Sequence, residues 1–153
     1  MVVSWTGTNT RLNLLYMGRV PGGHHVVLEE TSRASPAVCE RYEEVVVAWT
    51  GTDRHVNVLR ASARGLGVPL RLDVTTDAAP AVCPAGDGVA VAWTGGDRHV
   101  NVLALDARGP GPAVRLDATS SHAPALCAFG AGVLLAWTGS DGRPNVSRLR
   151  LVG

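Results

Sequence analysis

Four copies of one phrase constrain this chain more than any other feature. SWTGTNTRLNL begins at Ser4, AWTGTDRHVNV at Ala48, AWTGGDRHVNV at Ala92 and AWTGSDGRPNV at Ala136. Trp5, Trp49, Trp93 and Trp137 stand 44 residues apart, with no insertion between copies. A fixed period of this length marks a repeat architecture, in which each unit buries its apolar faces against its neighbours. The 153 residues form a single repeat domain with units at about 1–35, 36–79, 80–123 and 124–153.

Residues 36–79 serve as the type unit. PAVCERY is short and apolar, VVVAWT is a β-branched run, HVNVLRA is a third extended stretch and PLRLDVTT a fourth. YEE, GTDR and ARGLGV between them read as turns from their Gly, Asp and Arg content. No stretch carries an apolar stripe of period 3.6, so the chain is expected to be all-β with four short strands, A to D, per unit. Strand B (Val45 to Trp49, with Val89 to Trp93 and Val133 to Trp137) is apolar on both faces. Strand D alternates, with Leu70, Leu72 and Val74 on one face and Arg71, Asp73 and Thr75 on the other. Strand A is built of small residues around Ala37, Ala81 and Ala125. Small inside, apolar in the middle and half-polar outside is the radial order of a β-propeller blade, whose middle strands are covered on both faces. A β-trefoil is the alternative; it closes with three units, and the phrase occurs four times.

The chain starts at strand B of its first unit and ends after strand C of its fourth, which predicts fourteen strands. Repeats that cannot bury their faces alone need a closed ring or a cap. Two rings fit: a four-bladed monomer with a defective seam, and a homodimer of eight blades. The second is favoured, since near-identical units have no built-in stop at four.

Composition excludes several classes. The formal charge is +1, and the basic residues, all Arg, are scattered, so neither a nucleic-acid groove nor a polybasic membrane patch is expected. No apolar run reaches 18 residues, and MVVSWTGTNTR lacks the basic and apolar regions of a cleaved secretory signal, so a cytoplasmic protein is expected. Cys39, Cys83 and Cys127 recur 44 apart at PAVC, PAVC and PALC; an odd number at equivalent positions reads as small buried thiols of a reducing compartment. His24–His25 reads as a solvated loop near a Gly-rich turn, and neither a metal nor another cofactor is expected.

The phrase itself carries the candidate site. Gly51 is expected to supply the special backbone angles of a tight turn, and the Asp53 carboxylate to accept hydrogen bonds from the loop's own amides. Asn13, Asn57, Asn101 and Asn145 would tie each loop to strand C. A self-bonded hairpin is thus a sufficient reason for the Asp and Asn. The functional reading is a sugar site: an indole face stacks on pyranose C–H groups while carboxylate, imidazole and amide meet hydroxyls. Its residues would be Trp5, Trp49, Trp93 and Trp137, with Asp53, Asp97 and Asp141, His55 and His99, and Asn57, Asn101 and Asn145. The tryptophans suit wedge packing between blades equally well. Equivalent weak sites on one face would gain avidity by multivalency.

AWTG[TGS]D…NV together with TS…APAV resembles the repeats of bacterial and fungal β-propeller lectins and of sialidase-like propellers with Asp-box turns. The Asp-box S-x-D-x-G-x-x-W is not matched, because Gly51 stands two before Asp53 and Trp49 precedes the turn. The resemblance implies sugar sites between adjacent blades that would involve Trp49, Asp53, His55, Asn57 and their counterparts. A sialidase needs an asymmetric site with an arginine cluster and a Tyr nucleophile, whereas near-identical repeats generate near-identical sites. With no nucleophile triad, phosphate loop or metal-ligand spacing either, a non-enzyme is expected. Two functions remain: a glycan-binding lectin, or a protein-interaction scaffold propeller that assembles as a homo-oligomer.

Overall fold

The computed structural model describes residues 1–17 and 23–151. They form four antiparallel sheets in series, and no helix occurs among the described residues. The first sheet holds β1 (Val2–Thr6), β2 (Arg11–Tyr16) and β3 (His24–Thr31) in chain order. The second holds β4 (Ala37–Arg41), β5 (Glu44–Thr50), β6 (His55–Ser62), β7 (Gly65–Leu66) and β8 (Leu70–Thr75). The third repeats it as β9 (Ala81–Ala85), β10 (Gly88–Thr94), β11 (His99–Asp106), β12 (Gly109–Pro110) and β13 (Val114–Thr119). The fourth holds β14 (Ala125–Phe129), β15 (Gly132–Thr138) and β16 (Pro144–Leu149).

The all-β expectation is met, and one segment differs in detail. ARGLGV is more than a turn: Gly65–Leu66 pairs with the end of β6 before the chain breaks away and returns as β8 on the same edge. Gly65, at φ 119°, makes the hairpin, and Gly67 N–H donates to Arg60 O at 2.8 Å just before the break. The D strand is therefore interrupted, and the same interruption recurs at β12 and β13. At the A–B hairpins the left-handed residue is Tyr42, Gly86 or Gly130, so Tyr42 accepts a strain of about 1–2 kcal/mol that glycine avoids in the other two units. His24 and His25 open β3 and are not a solvated loop. Residues 18–22, which include part of the Gly-rich turn before them, lie outside the described residues.

Three apolar cores lie between successive sheets. Leu12, Leu14 and Leu28 of the first sheet meet Val45, Val47, Trp49 and Leu59 of the second. Val46, Ala48, Val56, Val58 and Leu72 on the other face of the second sheet meet Val89, Val91, Trp93 and Leu103 of the third. Ala90, Ala92, Val100 and Val102 of the third then meet Val133 and Leu135 of the fourth, with Trp137 packed against them. The runs Val45 to Trp49 and Val89 to Trp93 thus each alternate between two cores, which is why they are apolar at every position. The innermost strands β4, β9 and β14 lie against one another in sequence.

The cysteines illustrate the same geometry. Each belongs to a strand A and faces the sheet that follows: Cys39 packs against the core between the second and third sheets, and Cys83 lies in the core between the third and fourth. Burial pushes the Cys39 thiol up to about 11 and, with its two fellow thiols nearby, the Cys83 thiol up to about 12. Cys127 is exposed, contrary to the expectation of a buried thiol, because no sheet covers that face of β14.

Candidate functional site

The B–C hairpin converts the repeated phrase into a fixed geometry. Trp49 pairs across the ladder with Asn57, and the same register joins Trp5 to Asn13, Trp93 to Asn101 and Trp137 to Asn145. Gly51 N–H donates to His55 O at 2.9 Å, and Arg54 N–H donates back to Gly51 O at 2.9 Å. The Asp53 carboxylate accepts the His55 amide at 3.1 Å, and Asn57 Nδ2 donates to His55 O at 2.9 Å. The other copies reproduce both bonds: Asp97 with the His99 amide and Asp141 with that of Arg143, Asn101 with His99 O and Asn145 with Arg143 O.

The role expected of Gly51 belongs to another residue. The left-handed position of each turn is the fourth after Thr: Thr10, Arg54, Arg98 and Gly142, with φ between 65° and 78°. Gly51 is required sterically, because a Cβ there would lie 2.5 Å from Asp53 Oδ1 and 3.0 Å from Asn57 Nδ2. Gly95 meets Asp97 and Asn101 in the same way, at 2.7 and 3.2 Å. The glycine leaves room for the two side chains that fold beneath the turn.

Thr in the phrase also has a partner. Thr6, Thr50 and Thr94 donate through Oγ1 to Ala34 O, Ala78 O and His122 O, at 2.8, 2.6 and 2.7 Å. These carbonyls belong to the connections that lead to the next sheet. Each connection begins with a buried Ser32, Thr76 or Ser120 whose hydroxyl accepts the amide two residues on. TS…APAV and WT are therefore two halves of one lock.

Asp53 and Asp97 each gain a second partner absent from the sequence-based reading. Arg71 Nε donates to Asp53 Oδ2 at 2.9 Å, and Arg115 Nε to Asp97 Oδ2 at 3.0 Å. The Arg71 guanidinium, with the His55 amide, holds the Asp53 carboxyl below its ordinary value. The His99 amide, with Arg115, does the same for Asp97. Both pairs are about half exposed, so solvent screens them and they orient the carboxylates more than they stabilise the fold. The recurrence of Arg at 71 and 115, one period apart, was the available signal. The two histidines diverge: the Arg71 guanidinium lies against His55, with Nη2 3.0 Å from Nδ1, while His99 Nδ1 is 2.9 Å from Leu116 O.

The four tryptophans do not share one environment. Trp49 and Trp93 are 2% and 3% exposed, so their indoles belong to the inter-sheet cores and present no face to a ligand. Trp137 is half-buried. Trp5 is 38% exposed and stacks on His25 at 5.2 Å between ring centroids; His25 Nε2 in turn lies 3.0 Å from Asn13 Oδ1.

On the turn side, a polar cleft of about 240 Å³ opens where the second sheet's exit connection meets the third sheet's B–C turn. Asp77, Gly95, Gly96, Arg98, Ser120 and Ser121 line it. Asp77 accepts Arg54 Nη2 at 2.6 Å, a bond that fixes the carboxylate at the cleft edge. Arg98 is the repeat counterpart of Arg54, but Ser121 replaces the matching carboxylate, and no ion pair of Arg98 occurs among the described residues. No group of His, Cys, Asp and Glu residues able to hold a metal occurs among the described residues. Among the described residues, no helix is long and apolar enough to cross a membrane. No protein-family model matches the chain, and a search of curated proteins finds no significant match.

Proposed function

We propose that the chain is a non-enzymatic, carbohydrate-binding β-propeller whose ligand sites lie between neighbouring sheets, beside the WTG turns. Four separate antiparallel sheets stacked in series, with the A strands β4, β9 and β14 adjacent, support propeller blades over the single barrel of a trefoil. The observation that carries the binding reading is the cleft between Asp77 and Arg98. A carboxylate held by Arg54, a guanidinium with no ion pair among the described residues, two serine hydroxyls and open glycine backbone match the vicinal hydroxyls of a sugar. In this reading Asp53, Asp97, Asn57 and Asn101 act by shaping the turn, and Trp49 and Trp93 by fixing the sheets on either side.

A glycan array probed with labelled protein tests the proposal, with Arg98→Ala and Asp77→Ala as companions. Binding to a coherent set of related glycans, weakened at least tenfold by either substitution in a folded protein, is the expected result. A silent array from folded protein, or binding that ignores both substitutions, overturns it. The scaffold reading also draws on a specific observation, the apolar faces left open at both ends of the stack.

A further inference from the structure

The outer face of the first sheet carries Met1, Val3, Trp5, Leu15 and Met17. Their repeat counterparts in the second sheet (Val45, Val47, Trp49, Leu59 and Ala61) are all buried against a preceding sheet. In the first sheet Met1, Val3, Trp5 and Met17 stay open, with Val3 at 41% and Met17 at 43% exposure. The outer face of the fourth sheet carries the opposite half of the same interface. Cys127, Leu134, Ala136, Pro144 and Val146 correspond to Cys39, Val46, Ala48, Val56 and Val58, which cover the third sheet. Val146 is 66% exposed and Phe129, at the other end of the same sheet, 49%. One chain thus displays both halves of an interface that it builds three times internally.

We infer that these two faces dock on each other between two copies of this chain, closing a head-to-tail dimer with two identical seams. At every internal junction a Trp packs into a core that includes positions 12 and 14 of the preceding unit or their counterparts: Leu12 and Leu14, Val56 and Val58, Val100 and Val102. Trp5 therefore packs on Pro144 and Val146 of the second copy. A polar contact follows the same rule. Arg60 Nη2 reaches across an internal junction to Leu105 O at 3.3 Å. Its counterpart Arg148 donates to Met17 O of the second copy. Heterologous faces of this kind close into a ring when the rotation per unit allows it and otherwise grow into a filament. In the inferred ring two copies supply eight sheets, and each seam repeats the packing of the internal junctions. The inference does not depend on whether a glycan is bound.

The experiment uses the whole chain with Val3→Asp and Val146→Asp, both at positions where a carboxylate stands in water in the single chain. The wild type is expected at twice the 15.9 kDa chain mass by light scattering. Each variant buries an unpaired charge at the seam, so its dimer dissociation constant should rise at least 100-fold, with circular dichroism unchanged. An equimolar mixture of the two variants should regain a heterodimer through its one intact seam. A monomeric wild type, an open-ended polymer, or loss of the dimer in only one variant would each overturn the inference. The last result would indicate a symmetric face-to-face contact instead.

Discussion

Trp93→Ala and Trp5→Ala remove the same side chain from the same position of two copies of one phrase, and they should cost different amounts. Trp93 is 3% exposed and Trp5 38%. A buried tryptophan removes roughly 200 Å² from water, which at about 25 cal/mol/Å² corresponds to about 4–5 kcal/mol relative to a bare backbone. Truncation of a well-packed tryptophan falls in the same range, about 3–5 kcal/mol. Trp5 keeps more than a third of its surface in water and rests on His25, so its truncation should cost about 2–3 kcal/mol. Urea unfolding followed by far-ultraviolet circular dichroism measures both, in the Val146→Asp background so that association does not add to the stability of Trp5. Equal losses would refute the argument that the preceding sheet supplies the difference. A loss below about 1 kcal/mol for Trp93→Ala, accompanied by loss of glycan binding, would return the indole to the ligand.

Three further outcomes follow from the turn and the thiols. Gly95→Ala should lower the thermal midpoint, because its Cβ displaces Asp97 and Asn101; in an Asp97→Ala background the loss should shrink, since half of the obstruction is gone. The carboxyls of Asp53 and Asp97 have folded values below their unfolded ones. Their contribution is therefore fully present above the ordinary Asp value of about 3.9 and disappears as pH falls through the lower folded value. Asp53→Asn with Asp97→Asn should flatten the acid limb of a stability profile below about pH 4 and leave its shape near neutrality unchanged. A thiol-reactive dye at pH 8 should label Cys127 in the native single chain while Cys83, buried with its thiol pushed up to about 12, reacts only after unfolding. Equal labelling rates would contradict the described burial.

The Asx bond beneath each turn and the absence of a helical stripe were both legible in one dimension. Each depends on residue types a few positions apart. Gly51 shows the limit: its presence was readable, but its reason was not. The need for space beneath the turn appears only when the Asp53 and Asn57 side chains are placed there together. Arg71 was missed for a different cause: its recurrence at Arg115 was visible, but its partner was not. It sits 18 residues from Asp53, and only the pairing of β6 with β8 brings the two together.

The sequence by itself determined the period, the all-β character and the local chemistry of the hairpins, because hydrogen bonds within a turn are set by side chains at fixed short offsets. Tertiary structure alone decided which copies of a repeated residue are buried. Trp49 and Trp5 occupy the same place in equivalent hairpins, as do Cys83 and Cys127, yet one of each pair is enclosed and the other meets water. Burial is a property of the neighbouring sheet rather than of the residue, so identical phrases end in different physical environments.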